Sequence, residues 1–293
     1  MIFAVSAIAF GLLSTAGGDA LTTLRDNPQV SPKTVERLKL VYGLDRPLPV
    51  RYFSWLGRAV SGDLGESFAY RAPVGALVLS RLANTAAIGT VALLIALLVS
   101  IFLGYLVTRY PSGLLDAGAE LTVLITASTP RIVLSLIALF VIVSVSGTSG
   151  SMFIVPVSSI VLSFPLVAIF LTQMNSELGQ AMRLNFVQLA RAKGLSERKV
   201  IMSHAFREAV NPLISILGVS LGGVAGGSVV VETVLGWPGI GALMVAAVRG
   251  RDVSLVMGIV VIASGAVWLG NTIAEMLQLF NDRRVLDAEI RPD

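Results

Sequence analysis

The sequence predicts an all-α membrane protein with about six transmembrane helices. Hydrophobic residues make up 55% of the 293 residues and charged residues only 14%, and the mean hydropathy is +0.82. A soluble globular protein of this length would carry more charge and fewer apolar residues. A helical span needs about 20 mostly apolar residues. Runs of this length occupy 83–108, 120–146, 152–173, 210–235 and 254–276.

Residues 1–15 form a further, shorter apolar run, and no basic residue precedes Arg25. A secretory signal peptide would have a basic region in front of its apolar stretch. We therefore expect 1–15 to be a first transmembrane helix whose start is missing, with a cleaved signal peptide as the alternative.

Residues 16–82 are expected to form a helical segment outside the membrane. Ser31 and Pro32 are typical of a helix start and Gly43 of a helix end, which predicts a short amphipathic helix between them. Further on, residues 50–56 combine aromatic and basic side chains, as is common where lipid meets water. An interfacial helix and a docking surface for another protein both explain this stretch.

Charge predicts the orientation of the membrane domain, residues 83–284. Among the shorter loops and flanks, Lys and Arg are most frequent in 174–210, with Arg109 and the residues after the last span on the same side. Short basic loops face the cytoplasm, so we expect these regions, both termini and a tail at 285–293 to be cytoplasmic. The segment 17–82 carries nine Lys and Arg, but at about 65 residues it is too long for the charge rule and is given little weight. The net charge of +4 is then explained by topology and not by nucleic-acid binding. Cysteine is absent, which excludes disulfides and thiolate metal sites.

The segment between the third and fourth long runs is much longer than the few residues that two spans need as a connection. Within it, residues 186–212 are basic and helix-patterned. We expect the cytoplasmic loop 175–210 to couple the membrane domain to a soluble motor protein. A plain amphipathic helix on the membrane surface is the alternative.

Small residues mark the middle of this stretch. Ala190, Ala192 and Gly194 let another surface approach the backbone, and Gly194 permits a bend. Ser196 can cap a second helix after the bend. Pro212 disfavours helix at the residue before it and predicts the start of the next span. The expected structure is helix, elbow, helix and then a span.

The stretch from Ala190 to Pro212 resembles the EAA-type loop of ABC importer permeases. More closely, the chain is similar to the first permease of the dipeptide, oligopeptide and nickel importer family. The similarity extends from about residue 40 to 284, through blocks with the sequences YGLDRPLP (42–49), GDLGES (62–67), RLANT (81–85), VVVETV (229–234), WPG (237–239) and RD (251–252).

The resemblance implies a type I importer permease fold with several partner proteins. A second homologous permease completes the pathway, two cytoplasmic ATPase subunits bind ATP and Mg²⁺, and an external binding protein delivers the substrate. No cofactor, metal or catalytic residue is then expected in this chain. The residues implied to form the ATPase-coupling loop are Phe186, Leu189, Ala190, Ala192, Lys193, Gly194, Leu195, Ser196, His204 and Pro212.

The chain departs from the family pattern in several places. Residues 16–19 read AGGD where a Pro-Gly-Asp turn is usual. Asn185 and Phe186 replace Asp-Tyr, and the acidic residue of the EAA consensus is missing. Arg131, next to Pro130, stands where an aromatic or apolar residue is expected.

Arg131 has three possible explanations. A charged residue in mid-span costs about 2.5–3.5 kcal/mol on insertion scales, so we expect Arg131 to face the bundle interior, where Pro130 kinks the helix. It pairs with a carboxylate of the partner permease, or it lines the pathway and attracts a substrate carboxylate, or it lies at an interface because the span is misplaced. The candidate pathway residues are Ser128, Pro130, Arg131, Glu232 and Asn271.

A glycine-rich run at 222–228 lacks the lysine of a phosphate-binding loop. Spacing at intervals of four instead predicts close helix packing. The glycines concerned are Gly218, Gly222, Gly223, Gly226 and Gly227.

Two other functional classes each have a sequence feature in their favour. The GTSG turn at 147–150 suggests a serine protease, but the one histidine, His204, would lie across a hydrocarbon core of about 30 Å. An ion-coupled secondary transporter would hold several ionisable groups near mid-membrane. Here these are Arg131, with Glu120 and Glu232 nearer the span ends, so this class is kept as the alternative. Peptide is the favoured cargo, with a nickel chelate or another small solute left open.

Overall fold

The computed structural model describes residues 2–15, 31–41, 43, 45–146 and 151–281, so residues 16–19, the GTSG turn at 147–150 and the tail at 285–293 lie outside it. The described residues are helical apart from turns and one isolated antiparallel bridge between Glu66 and Pro73. The all-α prediction is confirmed. In chain order the helices are α1 (Ile2–Thr15), α2 (Pro32–Val41), α3 (Leu48–Val60), α4 (Val74–Arg109), α5 (Gly113–Ser128), α6 (Arg131–Ser146), α7 (Ser151–Ala181), α8 (Asn185–Ala192), α9 (Glu197–Leu235), α10 (Ile240–Arg249) and α11 (Val253–Asn281).

Among the described residues, α4, α7, α9 and α11 are long and apolar enough to cross a membrane by length and composition. The pair α5 and α6 forms a fifth candidate, but the two helices are bent by 91° at the break between them. The run 120–146, predicted as one span, is therefore two helices. The first helix, predicted at 1–15, is apolar but shorter than these spans, as is α10.

Two helices extend beyond the apolar runs that predicted them. α4 begins at Val74, so residues 74–82 are helical and continuous with the span predicted from residue 83. Val74 and Val78 are buried in an apolar core, which stabilises helix before the apolar run that begins at residue 83. α9 continues through Pro212 without a break, so this proline does not start the span. Proline is tolerated inside membrane helices because neighbouring groups satisfy the freed carbonyl.

The chain divides into two compact units, of which the first comprises Met1–Thr85 and Pro238–Ala266. Its core joins α4, α10 and α11 through Val74, Leu243 and Leu255, each of which is buried. This core buries one side of the short apolar helix α10, including Ile240, Leu243 and Ala247, which stabilises a helix of only ten residues.

The aromatic stretch 50–56 lies in α3. Trp55 is 6% exposed and packs with Phe10 of α1 and Met257 of α11, whereas Phe53 is 67% exposed. One face of α3 therefore belongs to the core of this chain, which neither sequence-based alternative included. The predicted start of α2 at Pro32 is confirmed.

Blocks of sequence that carry the family resemblance contact each other in the first unit. Ser67 Oγ and the Ala69 N–H donate to Asp252 Oδ2, at 2.7 and 3.0 Å, and the Leu255 N–H donates to Oδ1 at 3.1 Å. Asp252 is 1% exposed. These donors offset the desolvation of the buried carboxylate and fix the GDLGES block to the start of α11.

A second set of bonds holds the WPG block. Asn84 Nδ2 and Arg81 Nη1 donate to the Pro238 carbonyl, at 2.8 and 3.2 Å, and the Ile240 N–H donates to Thr85 Oγ1 at 2.8 Å. The RLANT block of α4 thus positions the turn that begins α10.

The second unit comprises Ala86–Trp237 and Val267–Asp293. In it α9 packs on α6 and α7, and α5 packs on α7. Phe170, Met174 and Leu178 of α7 are fully buried at its centre. Pro156 and Pro165 lie inside α7 without ending it.

Candidate functional site

The predicted helix, elbow and helix are present in the second unit. α8 ends at Ala192, and Gly194 has φ +79°, the left-handed conformation that favours glycine. The Leu195 N–H donates back to the Ala190 carbonyl at 3.4 Å, and α9 begins at Glu197. We call residues 185–204 the coupling cassette.

An ion pair braces the elbow. Arg191 Nε and Nη2 donate to the two carboxylate oxygens of Glu197, at 2.7 and 3.0 Å. This hydrogen bonding raises the pKa of the Arg191 guanidinium, which therefore stays charged. Sequence reasoning missed the pair, although opposite charges on either side of a glycine elbow were a usable signal.

The inner face of the coupling cassette is a small apolar cluster. Val187, Ala190 and Val200 are buried there, with Met182 and Leu195 packed against them. The expectation that Ala190 helps another surface approach the backbone is therefore wrong, because this side chain packs inside the chain. Ala192, Lys193 and Gly194 are exposed.

Several apolar side chains of the coupling cassette are exposed. Phe186 is 41% exposed, Leu189 55% and Met202 46%. Exposed basic residues, Arg198 and Lys199 among them, lie on the same short stretch of chain. Apolar contacts rimmed by charge are typical of a protein-docking surface.

Other predicted members of the loop have different positions. Ser196 occupies the cap position of α9, but its side chain makes no capping hydrogen bond, so that expectation is wrong. His204 is half-buried in a π-helical segment, Ile201–Ala205, with Nδ1 3.4 Å from the Lys199 carbonyl oxygen. Pro212 lies beyond the coupling cassette, within α9.

The turn between α5 and α6 holds three pathway candidates. Thr129 has φ −84° and ψ 117°, the extended conformation that a following proline imposes. Pro130 then ends α5, and its carbonyl accepts from the N–H groups of Val133 and Leu134 in α6. The Ser128 hydroxyl donates to the Leu124 carbonyl of its own helix.

Arg131 lies directly against α9. A Cβ atom added at Gly227 would overlap the Arg131 guanidinium. Arg131 therefore occupies space that is free only because residue 227 has no side chain. Arg131 is half-buried. The expected orientation towards the helix bundle agrees with this contact.

Glu232 and Asn271 do not join Arg131 in one cluster. Glu232 is fully buried in the last turns of α9. Asn271 Oδ1 lies against Gly218, 3.4 Å from an added Cβ. Gly218 and Gly227 are about 13 Å apart along α9 at about 1.5 Å per residue. The five pathway candidates therefore lie at different positions along the helices of the second unit and do not form one site.

The glycines of α9 have unequal surroundings. A Cβ at Gly218 would lie 2.8 Å from Ala274 Cβ, and one at Gly222 would lie 3.6 Å from Val267. Nothing lies within 4 Å of a Cβ added at Gly223 or Gly226, so the packing interpretation finds no support there within this chain.

Sequence reasoning missed other close glycine contacts. A Cβ at Gly89 would lie 2.6 Å from Val224, and one at Gly104 would lie 2.7 Å from Met174. Neither glycine belongs to a repeated spacing, which is why no pattern indicated these contacts.

The structure thus defines a multi-pass, all-α membrane protein with an exposed, braced helical elbow. Comparison with known proteins identifies the class: residues 96–287 match the family described as binding-protein-dependent transport system inner membrane component, and the chain belongs to this family. It is the membrane-spanning permease subunit of a binding-protein-dependent ABC importer. The predicted family is confirmed, and the secondary transporter alternative is excluded.

Individual relatives cover nearly the whole chain. The oligopeptide transport system permease protein AppB of Bacillus subtilis is 31% identical over 97% of this chain and 95% of its own length. The dipeptide transport system permease protein DppB of Lactococcus lactis is 30% identical over 97% and 94%. The nickel import system permease protein NikB of Staphylococcus aureus is 29% identical over 96% and 87%.

Family membership gives the chain its place in the inner membrane and its general partners. Transport of this kind depends on a binding protein and on ATPase subunits, and the permease itself does not hydrolyse ATP.

Proposed function

We propose that this chain forms half of the translocation pathway of an ATP-driven peptide importer, beside a second homologous permease. Relatives named for oligopeptide, dipeptide and nickel transport support a peptide or a related small solute as cargo. Peptide is the preferred class, because two of these three relatives are named for peptides. A nickel chelate is the second candidate.

The coupling cassette is the proposed contact with a cytoplasmic ATPase. The observation that carries this proposal is the exposure of three apolar side chains, Phe186, Leu189 and Met202, on a braced elbow. The ion pair and the buried cluster hold the elbow in shape, so movement of an ATPase against it is transmitted to α9 as a rigid displacement. α9 packs on α6 and α7 in the second unit and carries that displacement to the spans.

The proposed orientation places the coupling cassette and both termini in the cytoplasm. Basic residues near the span ends support this assignment. The segment before α4 and the short helix α10 then lie on the external side of the inner membrane, where they face the binding protein or the membrane surface.

Purification in mild detergent tests the function. The chain, expressed with its neighbouring subunits, should co-purify with a second permease and two ATPases, and the reconstituted complex should import peptide only with ATP and binding protein. Purification with the same partners but ATP-driven uptake of a nickel chelate in place of peptide would move the assignment to the second candidate. Uptake driven by an ion gradient without ATP would contradict the proposal.

Single cysteines test the orientation, because the chain has none of its own. In sealed cells, a membrane-impermeant thiol reagent should label Ser149→Cys from outside, but not His204→Cys or Asp293→Cys. Outside labelling at position 204 would contradict both the orientation and the docking proposal.

A further inference from the structure

We propose that Arg131, held against Gly227, is a binding site for a carboxylate of the transported substrate. The inference rests on the proposed function, since it takes the cargo to be a peptide or another solute with a free carboxylate. It adds a ligand class and two residues to the pathway.

The first observation is the position of the guanidinium. A Cβ atom at Gly227 would overlap Nη1 and Cζ of Arg131, so the side chain lies against bare backbone of α9. Only glycine leaves room for this contact. Packing on one side restricts the rotamers of the long side chain, and a restricted side chain loses less entropy when it binds a ligand.

The second observation concerns the charge. In the part of the chain that the structure describes, no side chain forms an ion pair or a hydrogen bond with the Arg131 guanidinium. A guanidinium has five N–H donors, and partial burial without acceptors for them costs free energy. Its planar fork matches a carboxylate through two parallel hydrogen bonds.

The third observation is the location of Arg131 beside a broken span. α5 and α6 meet at 91°, and Thr129 and Pro130 between them are not helical. Ser128 and Pro130 are exposed within this chain. Non-helical backbone at membrane depth occurs only where protein covers it or where it lines a water-filled cavity. The proposal takes the turn to lie at membrane depth, where its neighbour is then protein or water and not lipid.

Two carboxylates fit these observations, one from the partner permease and one from the substrate. A permanent buried ion pair adds little net stability, because the desolvation of both charges offsets their attraction. A guanidinium already held in place gives selectivity instead, since a neutral amide of the same shape leaves a charged donor without a charged acceptor.

Space beside the site agrees with a transient ligand. Gly223, four residues before Gly227 on the same helix, has no other atom within 4 Å of an added Cβ. We therefore assign the substrate carboxylate to Arg131.

The test measures ATP-driven uptake of the dipeptide Ala-Ala and of its C-terminal amide by the reconstituted complex with its binding protein. Each variant is compared with the wild type, which cancels selection by the binding protein. The acid-to-amide ratio should fall about tenfold in Arg131→Gln and in Gly227→Ala, the loss expected for one charged hydrogen-bonded contact.

Gly226→Ala is the matched control. It makes the same change one residue away in α9, at a position where an added Cβ meets nothing within 4 Å. Its acid-to-amide ratio should equal that of the wild type. An equal fall of the acid-to-amide ratio in Gly226→Ala and Gly227→Ala would show that the effect is not specific to the contact between Arg131 and Gly227.

A cysteine variant tests the charge directly. Arg131→Cys introduces a thiol into a chain without cysteine. Modification with aminoethyl methanethiosulfonate, which adds an ammonium group, should restore part of the lost Ala-Ala uptake, whereas the neutral methyl reagent should not. The wild-type complex treated with both reagents accounts for cysteines of other subunits.

Other results would also overturn the assignment. Loss of the second permease from purified Arg131→Gln would place Arg131 at the subunit interface. An unchanged acid-to-amide ratio in assembled variants, or equal rescue by both reagents, would remove the carboxylate site while leaving the importer function intact. A wild-type complex that imports neither compound would contradict the peptide cargo itself, and is distinguished by the wild-type measurement alone.

Discussion

The elbow of the coupling cassette and the turn between α5 and α6 both interrupt helices, but they treat charge in opposite ways. At the elbow, Gly194 takes the left-handed conformation and Arg191 pairs with Glu197 across it. At the turn, Pro130 breaks the helix and Arg131 has no ion pair among the described residues. The elbow thus pairs its charges within the chain, whereas the guanidinium at the turn has no charged partner among the described residues.

The comparison indicates where each break makes its contacts. With its charges paired, the elbow leaves apolar side chains such as Leu189 exposed, and these form the proposed contact with an ATPase. The turn carries the guanidinium of Arg131, a cation that is the proposed contact for a substrate carboxylate. The proposed docking surface is thus separated from the candidate ligand site on the same unit, and α9 contributes to both.

The largest expected effect is at the elbow. In Gly194→Trp a bulky side chain would project where nothing lies within 4 Å in this chain, and would obstruct an ATPase that docks there. ATP-driven uptake should fall at least about tenfold, the size expected at a central interface residue. Membrane insertion and recovery of the permease should be unchanged.

Gly194→Ala separates bulk from backbone strain. Both variants have the left-handed conformation, which costs about 1–2 kcal/mol for a residue with a Cβ, but alanine adds no bulk. Uptake by Gly194→Ala should exceed that of Gly194→Trp. Normal coupling of ATP hydrolysis to uptake in Gly194→Trp would argue against docking at the elbow.

A second prediction concerns the turn. Pro130→Ala restores an N–H and frees Thr129 from the extended conformation, so the 91° bend is no longer enforced. Uptake should fall severalfold in an assembled complex. Pro165→Ala is the control, because Pro165 lies within the continuous helix α7, where alanine is the better helix former. Equal activity of both variants would show that the bend does not depend on Pro130.

How far the sequence predicts this structure depends on the kind of feature. The apolar runs indicated the spans, because their composition alone determines whether they suit a membrane. The rule that proline ends a helix predicts the structure correctly at one position and incorrectly at another. Pro130 breaks a helix and Pro212 does not, although the same local rule applies to both. Packing around α9 decides the second case, and a single sequence does not contain that information.

The candidate site shows the same limit. The bend at Gly194 was predictable, since glycine is favoured in the left-handed conformation. The burial of Ala190 was not, because it depends on Val187 and Val200 meeting across the elbow. Arg131 was conspicuous in the sequence, but its contact with Gly227 requires α6 and α9 to pack together.

A smaller effect is expected at the ion pair of the elbow. Arg191 and Glu197 have side chains 42% and 37% exposed. Exposed pairs contribute no more than about 1 kcal/mol, so Arg191→Ala should lower thermal stability slightly and uptake modestly. The double variant Arg191→Glu with Glu197→Arg should recover most of the loss. A loss in Arg191→Ala as large as in Gly194→Trp would mean that Arg191 itself contacts the ATPase.

The smallest effect is expected for Ser196→Ala. Removal of a helix-capping side chain usually costs about 0.5–2 kcal/mol, and the position of Ser196 before α9 suggests such a cap. Its side chain, however, makes no capping hydrogen bond, and its backbone carbonyl accepts from Lys199 and Val200 whichever side chain is present. The change in stability should therefore stay within about 0.5 kcal/mol, as for most surface substitutions. Thermal unfolding of the detergent-purified complex measures it. A loss above about 1 kcal/mol would mean that the hydroxyl caps α9 in the assembled importer, and that the coupling cassette changes its conformation when the ATPase is bound.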